Sequence, residues 1–405
     1  MVIRRLARGA YMADLDLRPE ISAKVLAAKR SSIRVVFDLA NSMSDVIRLE
    51  IGEPRFTTSG YIIDGALNAA RDGFTRYTPN GGFGSLRELL AEKIRRVNGY
   101  SAEVDQIVVT PGAMNALYSI YLTILNPGDE VLLPTPGFPN MDEMVRLLGG
   151  TPVFYTLRQE TGYLPDLDEL ETQTTERTKA VFINNPGNPT GAVFPAELVR
   201  NLVDFAHRRK IWLISDEVYD QLTLDEEPEH VSAGRFDQEG LVVSVYSFSK
   251  VHAMTGWRVG YCVSQRSLAD GLRKVQEPLC SCPSSISQKA AEAALKGPST
   301  DVDARRKAYR DGRDRAWEVI REQGLTAFKP QGTFYMLINV AESGMPASDF
   351  TIKLLREGKV AVAPGEVFGP GGHGFVRVSL AGETAEIEEG IRRLGKMLQS
   401  LKAAN

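Results

Sequence analysis

From about Gly52 to Gln288 the chain alternates short apolar runs with stretches of helical periodicity, a pattern that points to parallel strands joined by crossover helices. The predicted strands are Ile107 to Thr110, Val131 to Leu133, Val153 to Leu157, Lys179 to Asn184, Ile211 to Ser215, Leu241 to Ser247 and Val259 to Ser264. Helices fall between most of them. In one, Met114, Leu117, Tyr118, Tyr121, Leu122 and Leu125 recur at i, i+3, i+4, i+7, i+8 and i+11, which predicts one apolar stripe starting just past Pro111-Gly112. The expected fold class is α/β, a mostly parallel seven-stranded sheet flanked by helices.

Beyond Ser299 the order of elements changes. A charged helix (Asp301 to Gln323), a strand (Thr333 to Val340), a helix (Ser348 to Glu357), two short strands (Val360 to Ala363, Phe375 to Leu380) and a terminal helix (Thr384 to Leu401) describe a smaller α+β domain. The expected division is an N-terminal segment, residues 1–51, a large domain, residues 52–298, and a C-terminal small domain, residues 299–405. The first segment is helical in pattern (Ile21 to Ala28, Ser32 to Ser42), too short to fold alone, and expected to pack on the small domain. At 405 residues and 43% hydrophobic content, the chain has ample material for two cores.

With 48 basic and 51 acidic residues the net charge is −3, which gives no global electrostatic reason to expect nucleic acid or an anionic membrane as partner. No apolar run has the length of a signal peptide core or a membrane span, so a cytoplasmic location is expected. Three cysteines (Cys262, Cys280, Cys282) make no disulfide framework, and four scattered histidines make no metal site. A small-molecule enzyme fits these constraints.

Several strand ends carry groups suited to holding a ligand, in the place where open α/β sheets bind them. Lys250 follows an apolar run, and a lysine amine is the side chain that condenses with an aldehyde. Around it, Ser247 and Ser249 offer hydroxyls, Arg258 offers a fork of donors matched to phosphate oxygens, and Gly256 permits a tight turn. Gly112, Ala113 and Met114 begin the amphipathic helix, and their N–H groups stand at its positive end. Asp216 ends the run Ile211-Trp212-Leu213-Ile214-Ser215, where a carboxylate is costly without a cation such as a protonated pyridine nitrogen. Tyr219 lies three residues on. Asn184-Asn185-Pro186-Gly187-Asn188-Pro189-Thr190-Gly191 closes another strand with a sharply defined loop.

Taken together, these segments resemble the class I and II aminotransferases, fold-type I enzymes that depend on pyridoxal 5'-phosphate, over nearly the whole chain. The Asn-Asn-Pro-x-Asn-Pro-Thr-Gly loop, the Ser-Asp-Glu-Val-Tyr strand end and the Ser-x-Ser-Lys-x5-Gly-x-Arg segment occur in the family's order. Ile51-Gly52-Glu53-Pro54 and Tyr77-Thr78-Pro79-Asn80-Gly81-Gly82 are similar to its bacterial members. The resemblance implies that Lys250, Asp216 and Tyr219 are catalytic: Lys250 carries the cofactor as a Schiff base and moves a proton, Asp216 keeps the pyridine nitrogen protonated, and Tyr219 and Asn188 hydrogen-bond the ring oxygen. It assigns the phosphate to Ser247, Arg258 and the Gly112, Ala113 and Met114 amides, with Ser249 as an extra contact. Phe138 stands in the place of the aromatic that stacks on the ring. Tyr77 is expected to reach the phosphate of a neighbouring subunit, which implies a homodimer with shared active sites. Arg377 is expected to bind the substrate α-carboxylate, assisted by Asn188 and the Gly52 backbone. Ala113 and Met114 depart from the small or hydroxyl residues frequent there, so Met114 offers only its backbone.

The implied reaction moves an amino group from an α-amino acid to a 2-oxo acid by a ping-pong scheme. The same motifs also serve lyases, cyclases and oxidases, which stay open as alternatives. A ligand sensor fused to a DNA-binding module is disfavoured because too few residues precede Gly52 for a winged helix-turn-helix. For the substrate side chain, Tyr11, Ile21, Phe138 and the Cys280 to Ser285 loop are pocket candidates. No arginine is assigned to a distal carboxylate, and the apolar, aromatic character points to neutral or aromatic amino acids.

Overall fold

The computed structural model describes residues 21–28 and 32–404. Seven strands, β1 (Ile107–Thr110), β2 (Glu130–Thr135), β3 (Thr151–Thr156), β4 (Thr178–Asn184), β5 (Trp212–Asp216), β6 (Val242–Ser247) and β7 (Gly260–Val263), form one sheet in the order β1-β7-β6-β5-β4-β2-β3. All run parallel except β7, which is antiparallel to both β1 and β6. Strands β2, β4 and β6 are almost wholly buried, as a sheet covered by helices on both faces requires.

One face packs against the helices Ala113–Ile124, Asn140–Leu147 and Arg266–Cys280, and the other against Leu167–Gln173 and Ala196–Arg209. The predicted stripe on the first of these helices is corrected. Leu117 and Tyr121 are buried, but their companions are Ala116, Ile120 and Ile124, while Leu122 is 40% exposed. This helix is apolar on nearly every side, so periodicity alone offered two stripes, and small Ala116 allowed the closer approach to the sheet.

A second core gathers around β8 (Tyr335–Asn339), β9 (Ala363–Pro364) and β10 (Phe375–Ser379), an antiparallel sheet in the order β9-β10-β8. The helices Thr300–Glu322 and Thr384–Ala404 pack on it. Near the N-terminus, Ile47–Arg48 pairs in parallel with Val360–Ala361, and Val36 and Ala40 of the helix Ser32–Asn41 bury against Ile352, Leu355 and Ala361. This brings the helix to the mouth of the cleft between the two cores.

Beneath the central strand ends lies a buried ion pair, Lys93 with Asp220, to which Asn98 adds donors at 3.1 Å to Asp220 and 2.8 Å to Ser232. Both charges are at most 8% exposed. Removing one partner strands the other in a dry interior, so Lys93→Met is expected to cost about 3–5 kcal/mol in urea unfolding. The double variant Lys93→Met/Asp220→Leu should lose clearly less; equal losses would mean that the isolated carboxylate is not the source of the cost.

Candidate active site

The carboxyl ends of the central strands open into a cavity of about 590 Å³ bordered by Asp216, Lys250, Arg258, Arg377 and their neighbours. Successive residues at the end of β5 point to opposite faces. Glu217 turns into a buried network, accepting from the Ser232 hydroxyl at 2.5 Å, the Ser244 hydroxyl at 3.0 Å and the Ala233 N–H at 3.3 Å, with His230 at 3.1 Å. Asp216 borders the cavity, with the Val218 N–H donating to it at 3.3 Å. Burial pushes its carboxyl up to about 7, against the opposing pull of that hydrogen bond and of Lys250.

Lys250 follows the end of β6 in the short helical turn Phe248–Val251, capped by the Ser247 hydroxyl, which accepts from the Ser249 N–H at 3.1 Å. Its amine donates to the Gly52 carbonyl at 2.6 Å. Arg258 adopts a left-handed backbone conformation, φ 52°, and donates to the Thr255 carbonyl at 2.7 Å. Its guanidinium lies against Gly112, which caps the helix Ala113–Ile124 with φ 81°. A Cβ there would overlap the guanidinium, so only glycine lets the arginine and the helix N-terminus converge.

Arg377 enters from β10, in register with Leu337 of β8. It is 4% exposed and donates to Asn188 Oδ1 at 3.0 Å and the Glu50 carbonyl at 2.8 Å. The rings of Tyr335 and Phe368 stand 4.3 and 4.9 Å from its guanidinium carbon, and its Nε is buried without a hydrogen-bond partner. Burial lowers its pKa, the Tyr335 and Tyr219 phenols acting the other way. The Asn184 amide donates to the Asp216 carbonyl at 3.0 Å, and its oxygen accepts from the Asn188 N–H at 2.7 Å, which fastens the loop to the strand end. Tyr219 donates to the Tyr335 hydroxyl at 3.2 Å, and burial raises its phenol well above the ordinary range.

The tertiary structure thus places Gly52, Ala113, Met114, Phe138, Asn188, Asp216, Tyr219, Ser247, Ser249, Lys250, Arg258 and Arg377 around one cavity, with Gly112 directly behind Arg258. Tyr77 does not border it and is 90% exposed. Among the pocket candidates only Phe138 lines the wall. Ile21 is 40% exposed and Cys282 lies beside the Thr78 N–H at 3.4 Å, away from the cavity, while Tyr11 lies outside the described residues. Sequence reasoning missed Tyr335, Glu50, Arg34 and Phe37. Tyr335 reads as an ordinary strand aromatic and Arg34 as a solvated helix charge, so no local signal marked them.

The family described as aminotransferase class I and II matches residues 44–394. The chain belongs to this family. An aspartate aminotransferase of Pyrococcus abyssi is 37% identical over 375 residues, 92% of this chain and 96% of that protein. Among solved structures, the Thermus thermophilus aspartate aminotransferase with maleate superposes with a TM-score of 0.90 at 34% identity, covering 94% of this chain and all of that one. An aromatic aminotransferase from Pyrococcus horikoshii gives 0.86 at 36% identity, covering 90% and 99%. The architecture is the fold-type I arrangement of these aminotransferases, and the chain is an enzyme.

Asp216 supplies a pH test of the site without activity. Its folded-state pKa lies above the ordinary 3.8, so its stabilising contribution to the cofactor-free protein is complete below about pH 4 and is lost as pH rises through about 7. A tenfold difference in proton affinity between the folded and unfolded chain is worth about 1.4 kcal/mol. Relative to wild type, Asp216→Asn should gain thermal stability between pH 4 and 7; a pH-independent difference would refute the burial argument.

Proposed function

We propose that this enzyme is a pyridoxal 5'-phosphate-dependent aminotransferase that moves the amino group of an α-amino acid to a 2-oxo acid by a ping-pong scheme, and that it works as a cytoplasmic homodimer. The observation that carries this reading is the convergence of a lysine amine, a buried carboxylate, an arginine backed by a helix N-terminus and a second, buried arginine on one cavity.

The residues present fit the cofactor. Asp216 is a buried carboxylate in want of a cation, and a protonated pyridine nitrogen meets it. The Gly112 and Arg258 cradle, where a Cβ has no room, fits a phosphate together with Ser247, Ser249 and the Ala113 and Met114 N–H groups. Pyridoxal 5'-phosphate supplies an aldehyde that condenses with amines and a protonated ring that takes up the electron pair left when an α-proton departs. Phe138 would cover the ring face, and Asn188 and Tyr219 would hold its oxygen.

In this reading the Lys250 amine first anchors the cofactor and then carries the proton at the substrate Cα, as a general base and acid. Arg377 takes the α-carboxylate, for which its partnerless buried Nε is one donor. Tyr335 and Phe368 fix the plane of that guanidinium and keep water from it. The relatives' names, aspartate and aromatic aminotransferase, support transamination over elimination, cyclisation or oxidation. Tyr77, with Leu67 half exposed and Phe74 and Leu279 about 40% exposed, supports a face covered by a second copy, through which Tyr77 reaches the partner's phosphate.

The test is single-turnover mixing of the cofactor-loaded protein with a panel of amino acids, reading visible absorbance and products. Release of the matching 2-oxo acid is expected, and shortened, cyclised or oxidised products would overturn the reading. Lys250→Ala should still bind the cofactor yet lose at least about 10²–10⁴-fold in turnover. Normal turnover in that variant would sink the assignment. Arg377→Ala should raise the KM for amino acids on the order of 10²-fold with cofactor absorbance intact; an unchanged KM would place the carboxylate site elsewhere.

A further inference from the structure

The three cysteines fall into two environments. Cys262 is fully buried in β7, and burial pushes its thiol up to about 12, which leaves it inert. Cys280 and Cys282 are free and partly exposed, one at the last position of the helix Arg266–Cys280 and the other just beyond it. Between them Ser281 has φ 60° and ψ −62°, and the Cys282 N–H donates to the Cys280 carbonyl at 2.7 Å. That is a γ-turn of the rare, strained hand, at a residue that is not glycine. Pro278 inside the helix and Pro283 directly after the pair restrict the backbone on both sides. Two residues of extended chain span at most about 7.2 Å, and the turn draws Cys280 and Cys282 closer, into the range of about 4.4–6.8 Å between Cα atoms that a disulfide bridges. Burial and, after it, the neighbouring Cys282 sulfur hold the Cys280 thiol above its ordinary range.

The second sulfur also fastens a distant segment. The buried Thr78 N–H donates to Cys282 Sγ at 3.4 Å, and the Thr78 hydroxyl accepts from Gln288 at 3.1 Å. The Asn80 carbonyl accepts from Gln276, and its amide donates to Glu277 at 3.3 Å, so the segment that carries Tyr77 is stitched to the end of this helix. We propose that Cys280 and Cys282 form an oxidisable dithiol, a modification site for hydroperoxides that closes into an intrachain disulfide and lets go of Thr78. With hydrogen peroxide, the Cys282 sulfur attacks one oxygen: an S–O bond forms, the O–O bond breaks, and the leaving hydroxide takes the thiol proton as water. Cys280, held as a thiol, closes the second step: the S–S bond forms, the S–O bond breaks, and a second water leaves. Two thiols are oxidised by two electrons and one peroxide is reduced to two waters. Drawn toward Cys280, the Cys282 sulfur no longer accepts from Thr78, a buried N–H loses its acceptor, and the Tyr77 segment loosens. The effect on the cofactor rests on the proposed dimer, in which Tyr77 reaches the partner's phosphate; the disulfide does not.

The experiment treats the assembled, cofactor-loaded protein with hydrogen peroxide, then counts thiols in denaturant and maps the bonds by mass spectrometry. The count should fall from three to one, with Cys280 joined to Cys282 within one chain, and dithiothreitol should restore all three. The Kd for pyridoxal 5'-phosphate should rise about 2- to 10-fold on oxidation, the worth of one hydrogen bond, and return on reduction. Cys280→Ser should keep the Kd of the reduced wild type and form no intrachain disulfide. Thiols that stay reduced in the assembled protein, or that go only to sulfinic acid, overturn the site. A disulfide that leaves the Kd unchanged overturns its link to Tyr77. The bond is read by mass without turnover, so a protein that forms it yet releases no 2-oxo acid would sink the reaction alone.

Discussion

The site depends on two adjacent carboxylates buried at the end of one central strand. Glu217 is completely enclosed and satisfied by hydroxyls and an N–H, which fixes the β5 end against its neighbours. The alternation of a strand then obliges Asp216 to the other face, where burial raises its pKa to about 7. A carboxylate held there is a preorganised receptor for positive charge, since the cost of desolvating it has been met by folding. The Asn184 side chain and the Asn185 N–H both donate to the Asp216 carbonyl, so the neighbouring loop is built on the same strand end.

The second constraint is the contact between the two cores. Gly52 touches both: its carbonyl accepts from Lys250, and Tyr335 of β8 packs so closely on its Cα that a side chain has no room. Tyr335 in turn accepts from Tyr219 and lies under Arg377. Phe368, on the other side of that guanidinium, belongs to a turn docked on β2, where Gly137 donates to the Phe368 carbonyl at 2.8 Å and Gly371 donates to the Thr135 hydroxyl at 2.7 Å. The carboxylate arginine is therefore positioned by both cores at once, and a small change in their relative placement moves it with respect to Lys250.

Much of this was legible beforehand. The seven strands were readable because buried parallel strands are continuous apolar runs, and β4, β5 and β6 end in Asn184, Asp216 and Ser247, polar residues that break those runs abruptly. The stripe on the helix Ala113–Ile124 was misread because a helix apolar on several sides carries no unique period, and close packing against the sheet selected Ala116 over Leu122. Arg34 and Tyr335 were illegible for a different reason. Each is an ordinary residue for its element, and only the approach of distant segments makes it a wall of the cavity.

The sequence by itself determined the element order, the family and the identity of the groups at the strand ends, because local periodicity and turn chemistry are written in neighbouring residues. Only the tertiary structure decided that Arg377 lies between Tyr335 and Phe368, that Gly112 leaves room for Arg258, and that the helix Ser32–Asn41 brings Arg34 and Phe37 to the cavity. Apart from that of Arg377 with Phe368, those are contacts between residues dozens to hundreds of positions apart. They are set by packing two cores against each other, and no local pattern encodes where such surfaces meet.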